Sequence, residues 1–275
     1  MAIIILSRQK KEAGCLNGLE VEMISVKSAK EIELMRIAGR IVALAHEEVK
    51  KFIKPGITTL KLDEIAEEVI RANDSIPSFK GKEGINHSIF PATICASINS
   101  EVVHGIPSKK VLEDGDIISI DIGACYEGYH GDAAMTHPVG EVSAEALRLI
   151  KVTEQSFFEG IEFAKEGNRL TDISNAVQRF VEANGYSVVR DFVGHGIGRE
   201  LQEEPQIPNY GKPGYGPRLI RGMTLAIEPM VNMGNYPIRI LPNNWTVLTA
   251  DGSLSAHYEN TILITDGNPE ILTAL

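Results

Sequence analysis

Apolar residues recur at Ile32, Met35, Ala38, Ile41, Val42, Ala45, Val49 and Phe52, the spacing of one helix face. Ser28-Ala29-Lys30-Glu31 precedes them as a capping box, and Lys54-Pro55-Gly56 stops the helix. A second helix is predicted from Leu60 to Ala72, with Ile65, Val69 and Ile70 inward. The plan returns downstream. Ala144 to about Lys165 carries Leu147, Ile150, Phe157 and Ile161 along one side, and Lys165-Glu166-Gly167 breaks it. Ile173, Val177 and Val181 stripe a further helix that ends at Asn184-Gly185. Long helix, glycine stop, shorter helix, then strands: this order occurs twice and reads as an internal duplication of roughly 110 residues per unit.

Strands follow each helix pair. Asp116 to Ile122 and Tyr129 to Thr136 flank Tyr126-Glu127-Gly128, a hairpin turn. Met223 to Ile227 is an apolar run closed by Glu228-Pro229. Trp245 to Thr249 and His257 to Ile264 flank Asp251-Gly252, a tight-turn signal. Strands mixed with paired helices predict an α+β fold with a curved, mainly antiparallel sheet. Residues 1 to about 26 read as an N-terminal extension before one domain over 27–275.

Four acids interrupt the apolar pattern. Asp121 sits in the middle of IISIDIGA, where a bare carboxylate is costly to bury. Asp132 lies across the hairpin, with the turn near the midpoint, so the two are expected as cross-strand neighbours to within a slip of one residue. Glu228 ends the run MTLAI, and Glu259 sits in AHYENTILI. Singly, each would read as a strand-edge residue facing solvent. Together, with no lysine or arginine in these strand centres, they call for buried positive charge.

His195, in GHGIG (194–198), is the natural fifth member, and its glycines are expected to leave room for substrate. The spacing is poor for a phosphate loop, because no lysine or helix start follows. Imidazole with several carboxylates suits manganese, iron, cobalt or zinc. Four carboxylates and one imidazole exceed the needs of one ion; two ions roughly 3.5–4 Å apart fit the count.

Composition narrows the setting. A 43% apolar and 23% charged chain is of soluble globular type, and a net charge of −10 argues against an electrostatic grip on nucleic acid. Cys15, Cys95 and Cys125, odd in number and without zinc-like spacing, are expected as reduced thiols. Ala2 to Leu6 is too short for a signal core, and no apolar run reaches the roughly 18 residues of a membrane span. The expected location is the cytoplasm, which leaves the glycosylation match Asn244-Trp245-Thr246 idle.

INSEVVHGIP (98–107), DGDIISIDIGACYEGYHGDAAMT (114–136), GHGIG, EEPQIPNYG (203–211), GMTLAIEPM (222–230) and WTVLTADGSLSAHYENTILITDG (245–267) carry a family likeness. Over residues 26 to 272 the chain resembles the type I methionine aminopeptidases, which are pita-bread metallopeptidases. The resemblance implies a pseudo-twofold fold and two divalent ions. Asp132 and Glu259 would bridge them, His195 and Glu228 complete one, and Asp121 chelate the other, where the substrate amine binds. It further implies that Glu228 shuttles a proton from water to the departing amine and that His104, in VVHGIP, hydrogen-bonds the substrate. Phe90, Cys95 and Trp245 fall where the family lines its methionine pocket; without the likeness they read as core, and His104 as an exposed strand-end residue. Implied partners are peptide and nascent-chain N-termini beginning with Met, hence transient ribosome proximity, with the protein a monomer.

Two departures stand out. Gln202 occupies the position where the family has a second active-site histidine, seven residues after the metal histidine. Glutamine can donate an N–H to an oxyanion but cannot carry a proton, so a working enzyme with altered rate or pH dependence is expected; a solvent-facing glutamine is the plainer reading. Lys80 to Ile89 is longer than the usual pocket loop and is expected to alter the rim of the site, with His87 a loop histidine. Prolidases and aminopeptidases P share the five ligands but carry an added N-terminal domain, which the short extension argues against. A non-catalytic pita-bread binding module is disfavoured by the full ligand set, although Gln202 keeps it open.

Overall fold

Ser28 opens the first helix as predicted. In α1 (Ala29–Lys50) its hydroxyl accepts from the Glu31 amide, and the Glu31 carboxylate accepts in turn from the Ser28 amide at 2.8 Å. The structure is a computed structural model that describes Ile3–Ile4 and residues 24–275; Cys15 and nearly all of the expected extension lie outside the described residues. Met35, Ala38, Ile41, Val42, Ala45 and Val49 are buried, whereas Phe52 falls past the helix end and is exposed. The other helices are α2 (Thr59–Ala72), α3 (Ala144–Ile161) and α4 (Leu170–Ala183). α3 stops short of Lys165, and Leu147, expected inward, is exposed on its outer side. The helix-pair-then-strands order thus occurs twice, and among the described residues no helix is long and apolar enough to cross a membrane.

The strands that position the site are β1 (Ile94–Ile98), β2 (Ile117–Tyr126), β3 (Tyr129–Pro138), β4 (Phe192–Gly196), β5 (Glu203–Ile207), β6 (Thr224–Ile227), β7 (Ser255–His257) and β8 (Glu259–Leu263). The main sheet is antiparallel throughout, in the order Ile3–Ile4, β4, β6, β8, β3, β2, Ile76–Pro77. β1 pairs with β2, and β5 with β4. This is the curved antiparallel sheet expected from sequence.

Period-two alternation sorts the two faces of that sheet. Ile118, Ile120, Ile122 and Ala124 of β2 pack with Ile41, Val42, Ala45, Leu62 and Ile70 of α1 and α2. Leu225, Ile227 and Ile262 of β6 and β8 pack with Phe157, Ile161, Leu170 and Ile173 from the second helix pair. Each large aliphatic or aromatic side chain so buried contributes roughly 1.5–3 kcal/mol. The alternate positions point away from the helices, and Asp121, Asp132, Glu228 and Glu259 are among them.

Two turn expectations need correction. Glu127 (φ 47°) and Gly128 (φ 80°) form the β2–β3 turn, a type I′ pattern. The register then sets Asp121 opposite Ala134 and Asp132 opposite Gly123. The two aspartates are therefore diagonal neighbours on one face, not directly opposed. Asp251-Gly252 does turn the chain, but it closes no hairpin: Val247–Thr249 pairs with Ile238–Ile240 and Glu101–Val103, while β7 pairs with Met230–Asn232.

Candidate metal centre

Five strands deliver the expected residues to one place. Asp121 comes from the middle of β2, Asp132 from β3, His195 from β4, Glu228 from the residue after β6, and Glu259 from the start of β8; all five are buried. Thr261 fixes the β3–β8 seam, its hydroxyl accepting from the Asp132 amide at 3.0 Å and donating to the Asp132 carbonyl at 2.9 Å. The Asn209 side-chain amide donates to the Glu228 carbonyl at 2.9 Å, holding the chain where β6 ends.

His195 is oriented by its own strand. Nδ1 lies 2.9 Å from the Gly196 carbonyl, and a carbonyl can only accept, so Nδ1 carries the proton and Nε2 presents a lone pair. That Nε2 is 3.6 Å from Glu228 Oε1 and 4.0 Å from Asp132 Oδ2. The flanking glycines serve a different purpose from the one expected. A Cβ on Gly194 would lie 2.4 Å from the Ala226 carbonyl oxygen, and one on Gly196 would lie 2.2 Å from the Glu204 carbonyl oxygen. They admit the neighbouring backbones of β6 and β5, not a substrate.

The electrostatics follow from burial. Asp121 is pushed well up from the ordinary carboxyl range by burial, with the nearby Asp132 charge adding to the effect. Burial likewise raises Glu228 and Glu259 far above their usual values, and the other acids of the cluster push both further. Among the described residues, neither carboxylate oxygen of Glu228 or of Glu259 accepts a hydrogen bond. Acids crowded together in a buried site fit a divalent cation, which would take the place of the protons that burial otherwise makes them hold. Donor atoms of Asp132, His195 and Glu259 lie within 4.8 Å of one another, compatible with a shared ion.

A sixth residue belongs to this cluster and carries no charge signal in the sequence. His257, the last residue of β7, is 1% exposed, with Nε2 3.6 Å from Glu228 Oε2 and 3.9 Å from Glu259 Oε2. Burial lowers it well below the ordinary histidine value, so the ring is neutral. The available signal was its place two residues before Glu259, where alternation puts both on one face.

Around the centre, His104 is buried, not exposed. Its backbone is left-handed (φ 59°), its ring stands edge-on to Phe192 at 5.4 Å and to Trp245 at 6.2 Å, and among the described residues its Nε2 has no hydrogen-bond partner. Burial holds its pKa down at about 3. Phe90, Cys95 and Trp245 share one apolar cluster with Ala226 of β6 and Leu263 of β8, and Phe90 meets Trp245 edge-on at 5.0 Å. Cys95 lies opposite Asp121, and burial raises its thiol well above the usual range. The 80–89 loop reaches this wall: a Cβ on Gly84 would lie 2.4 Å from the Trp245 ring. His87 points away, exposed and paired with Glu83. Gln202 is half-buried at the entry to β5, next to Glu203, which pairs with Gly196.

Residues 33–266 match the model of metallopeptidase family M24. The chain is 58% identical to the methionine aminopeptidase of Clostridium acetobutylicum over 252 residues, 91% of this chain and 99% of that one. Methionine aminopeptidase 1 of Bacillus subtilis is 56% identical, covering 91% and 99%. The crystal structure of the Thermotoga maritima methionine aminopeptidase superposes with a TM-score of 0.89 at 47% identity, over 92% of this chain and 100% of that one. The Pyrococcus furiosus prolidase shares the fold, with a TM-score of 0.68 at 24% identity, and the chain spans 65% of its length. The chain belongs to metallopeptidase family M24, among its methionine aminopeptidases.

Proposed function

We propose that the protein removes the N-terminal methionine from peptides and nascent proteins, with divalent ions held by Asp121, Asp132, His195, Glu228 and Glu259. The observation that carries this reading is the set of buried carboxylates and an imidazole, drawn from five strands to one sheet face with their donor atoms close together. Four carboxylates and an imidazole suit two ions better than one, with manganese, iron, cobalt or zinc as the compatible metals. When bound, such ions polarise a peptide carbonyl and acidify water.

The protein's own groups do the remaining work. Glu228 takes the proton from the attacking water and passes it to the departing amine nitrogen; its carboxylate, buried at the end of β6 beside the other acids, is placed for both transfers. Neutral His104 hydrogen-bonds the substrate beside the scissile bond, and its unpartnered Nε2 supports that role. Gln202 donates an N–H to the substrate carbonyl and transfers no proton. Phe90, Cys95 and Trp245 form the apolar wall against the methionine side chain, which excludes charged first residues.

Metal analysis combined with hydrolysis of Met-Ala-Ser and of Xaa-Pro peptides tests this function. Metal-dependent release of methionine from Met-Ala-Ser alone is expected. Cleavage confined to Xaa-Pro substrates would assign a prolidase-type activity, and a protein that binds no divalent ion would overturn the reading.

A further inference from the structure

His257 is not accounted for by the five-residue ligand set. A buried imidazole in a strand is ordinarily explained by a hydrogen bond or by packing. Among the described residues its Nε2 has no hydrogen-bond partner, although Glu228 and Glu259 both face it with lone pairs unused there. The separations of 3.6 and 3.9 Å are too long for hydrogen bonds, which fall at about 2.7–3.2 Å. They suit two donors on a common ion: ligand bonds of about 2.0–2.2 Å in a tetrahedral arrangement set neighbouring donors roughly 3.4 Å apart. Glu228, His257 and Glu259 form a second set of donor atoms within 4.8 Å of one another, sharing Glu259 with the Asp132, His195 and Glu259 set.

The backbone holds His257 in that position. Its amide donates to Thr136 Oγ1 at 2.9 Å, and the same hydroxyl donates to its carbonyl at 2.8 Å. Ser119 Oγ lies 2.8 Å from Thr136 Oγ1 and buttresses the threonine. Glu228 then sits between two imidazoles, with Oε1 3.6 Å from His195 and Oε2 3.6 Å from His257.

We propose that His257 Nε2 is a ligand of the metal centre, so that this protein binds its ions with two imidazoles instead of one. The proposal rests on reading Asp132, His195, Glu228 and Glu259 as metal ligands and adds one donor to them. Within that set His257 supplies a neutral donor. It increases the ligand count without adding negative charge to a site already crowded with carboxylates.

X-ray absorption on the cobalt-loaded protein, combined with elemental analysis of bound cobalt, counts imidazole nitrogens per chain without reference to activity. Two are expected in the unmodified protein. His257→Gln should leave one and weaken cobalt binding by isothermal titration about 100-fold or more, with its thermal unfolding in chelator reporting whether it folds. His195→Gln should also leave one. A count of one in the unmodified protein overturns the proposal without recourse to any variant. So does a His257→Gln protein with unchanged count and affinity; if His195→Gln then abolishes the imidazole signal, the underlying metal reading survives. Failure of the unmodified protein to bind cobalt overturns both.

Discussion

Replacing Gly196 by alanine separates two explanations for a histidine set between glycines. The added Cβ would lie 2.2 Å from the Glu204 carbonyl oxygen, 2.8 Å from its carbon and 3.0 Å from the Glu203 oxygen, all backbone atoms of or beside β5. Non-bonded carbons settle roughly 3.5–4.0 Å from their neighbours, so β5 has to move outward by about 1 Å or more. That shift strains the pairing of Gly196 with Glu203 and the Gly196 carbonyl on which His195 Nδ1 is anchored. Overpacking of this kind costs about 1–3 kcal/mol, and a backbone neighbour that cannot swing aside puts the cost at the upper end. At about 3 kcal/mol, Tm should fall by roughly 6–12 °C. Thermal unfolding in chelator reads this, and cobalt titration should show weakened binding. Gly198→Ala is the milder comparison: its Cβ would meet side-chain atoms only, Lys27 Cε at 2.3 Å and Glu203 Oε1 at 2.7 Å, and not a backbone, so its Tm should fall less. If Gly196→Ala keeps its Tm and raises only KM, the space at Gly196 belongs to substrate, and the strand-packing account is wrong.

Other consequences can be tested directly. Glu228→Gln keeps the shape but loses both the proton transfer and a carboxylate ligand, and at saturating metal should lower kcat on Met-Ala-Ser by about 10²–10⁴-fold; a metal-loaded variant that stays active would remove Glu228 from the shuttle role. Gln202→His should change kcat/KM and introduce a new ionisation in its pH profile; an unchanged profile would place Gln202 outside the reaction. In the metal-free protein, burial raises Asp121, Glu228 and Glu259, so the stability they contribute is present below their unfolded values near 3.8 and 4.5 and is lost as pH rises toward their folded values. His46, lowered by burial to about 4, acts oppositely, losing its contribution as pH falls from 6.5, but does so with or without metal. The gain in Tm on adding divalent ions should therefore grow between about pH 5 and 8; a constant or shrinking gain in calorimetry would refute the replacement of protons by ions.

What the sequence disclosed follows from where a residue carries a cost. Aspartate or glutamate inside an apolar strand is expensive unless paired, so Asp121, Asp132, Glu228 and Glu259 stand out from pattern alone. Neutral histidine carries a much smaller penalty, so His257 gives no such signal although it precedes Glu259 by two positions and its ring comes within 3.9 Å of that carboxylate. Gly194 and Gly196 showed that something approaches closely, but a missing side chain does not reveal whether the neighbour is a substrate or a strand. The burial of His104 was equally hidden, because it depends on a left-handed backbone that brings the ring against Phe192 and Trp245 from distant segments.

The aspartate register shows how a small local error propagates without damaging the chemistry. Placing Asp121 opposite Asp132 requires a turn centred between Tyr126 and Glu127, whereas the positive φ angles fall on Glu127 and Gly128, one residue later. Moving a two-residue turn by one position moves every cross-strand partner by two, so Asp121 comes to oppose Ala134. A shift of two preserves the face, because side chains alternate with period two. Both carboxylates stay on the side away from the helices, now diagonal across the pair, where Ala134 and Gly123 occupy the directly opposed positions. The room beside Gly123 is already taken: a Cβ there would lie 2.6 Å from the Phe79 ring and 2.9 Å from Ser78 Cβ. A larger residue at Gly123 would collide with Phe79 and disturb the strand that carries Asp121, while leaving every ligand in the sequence intact.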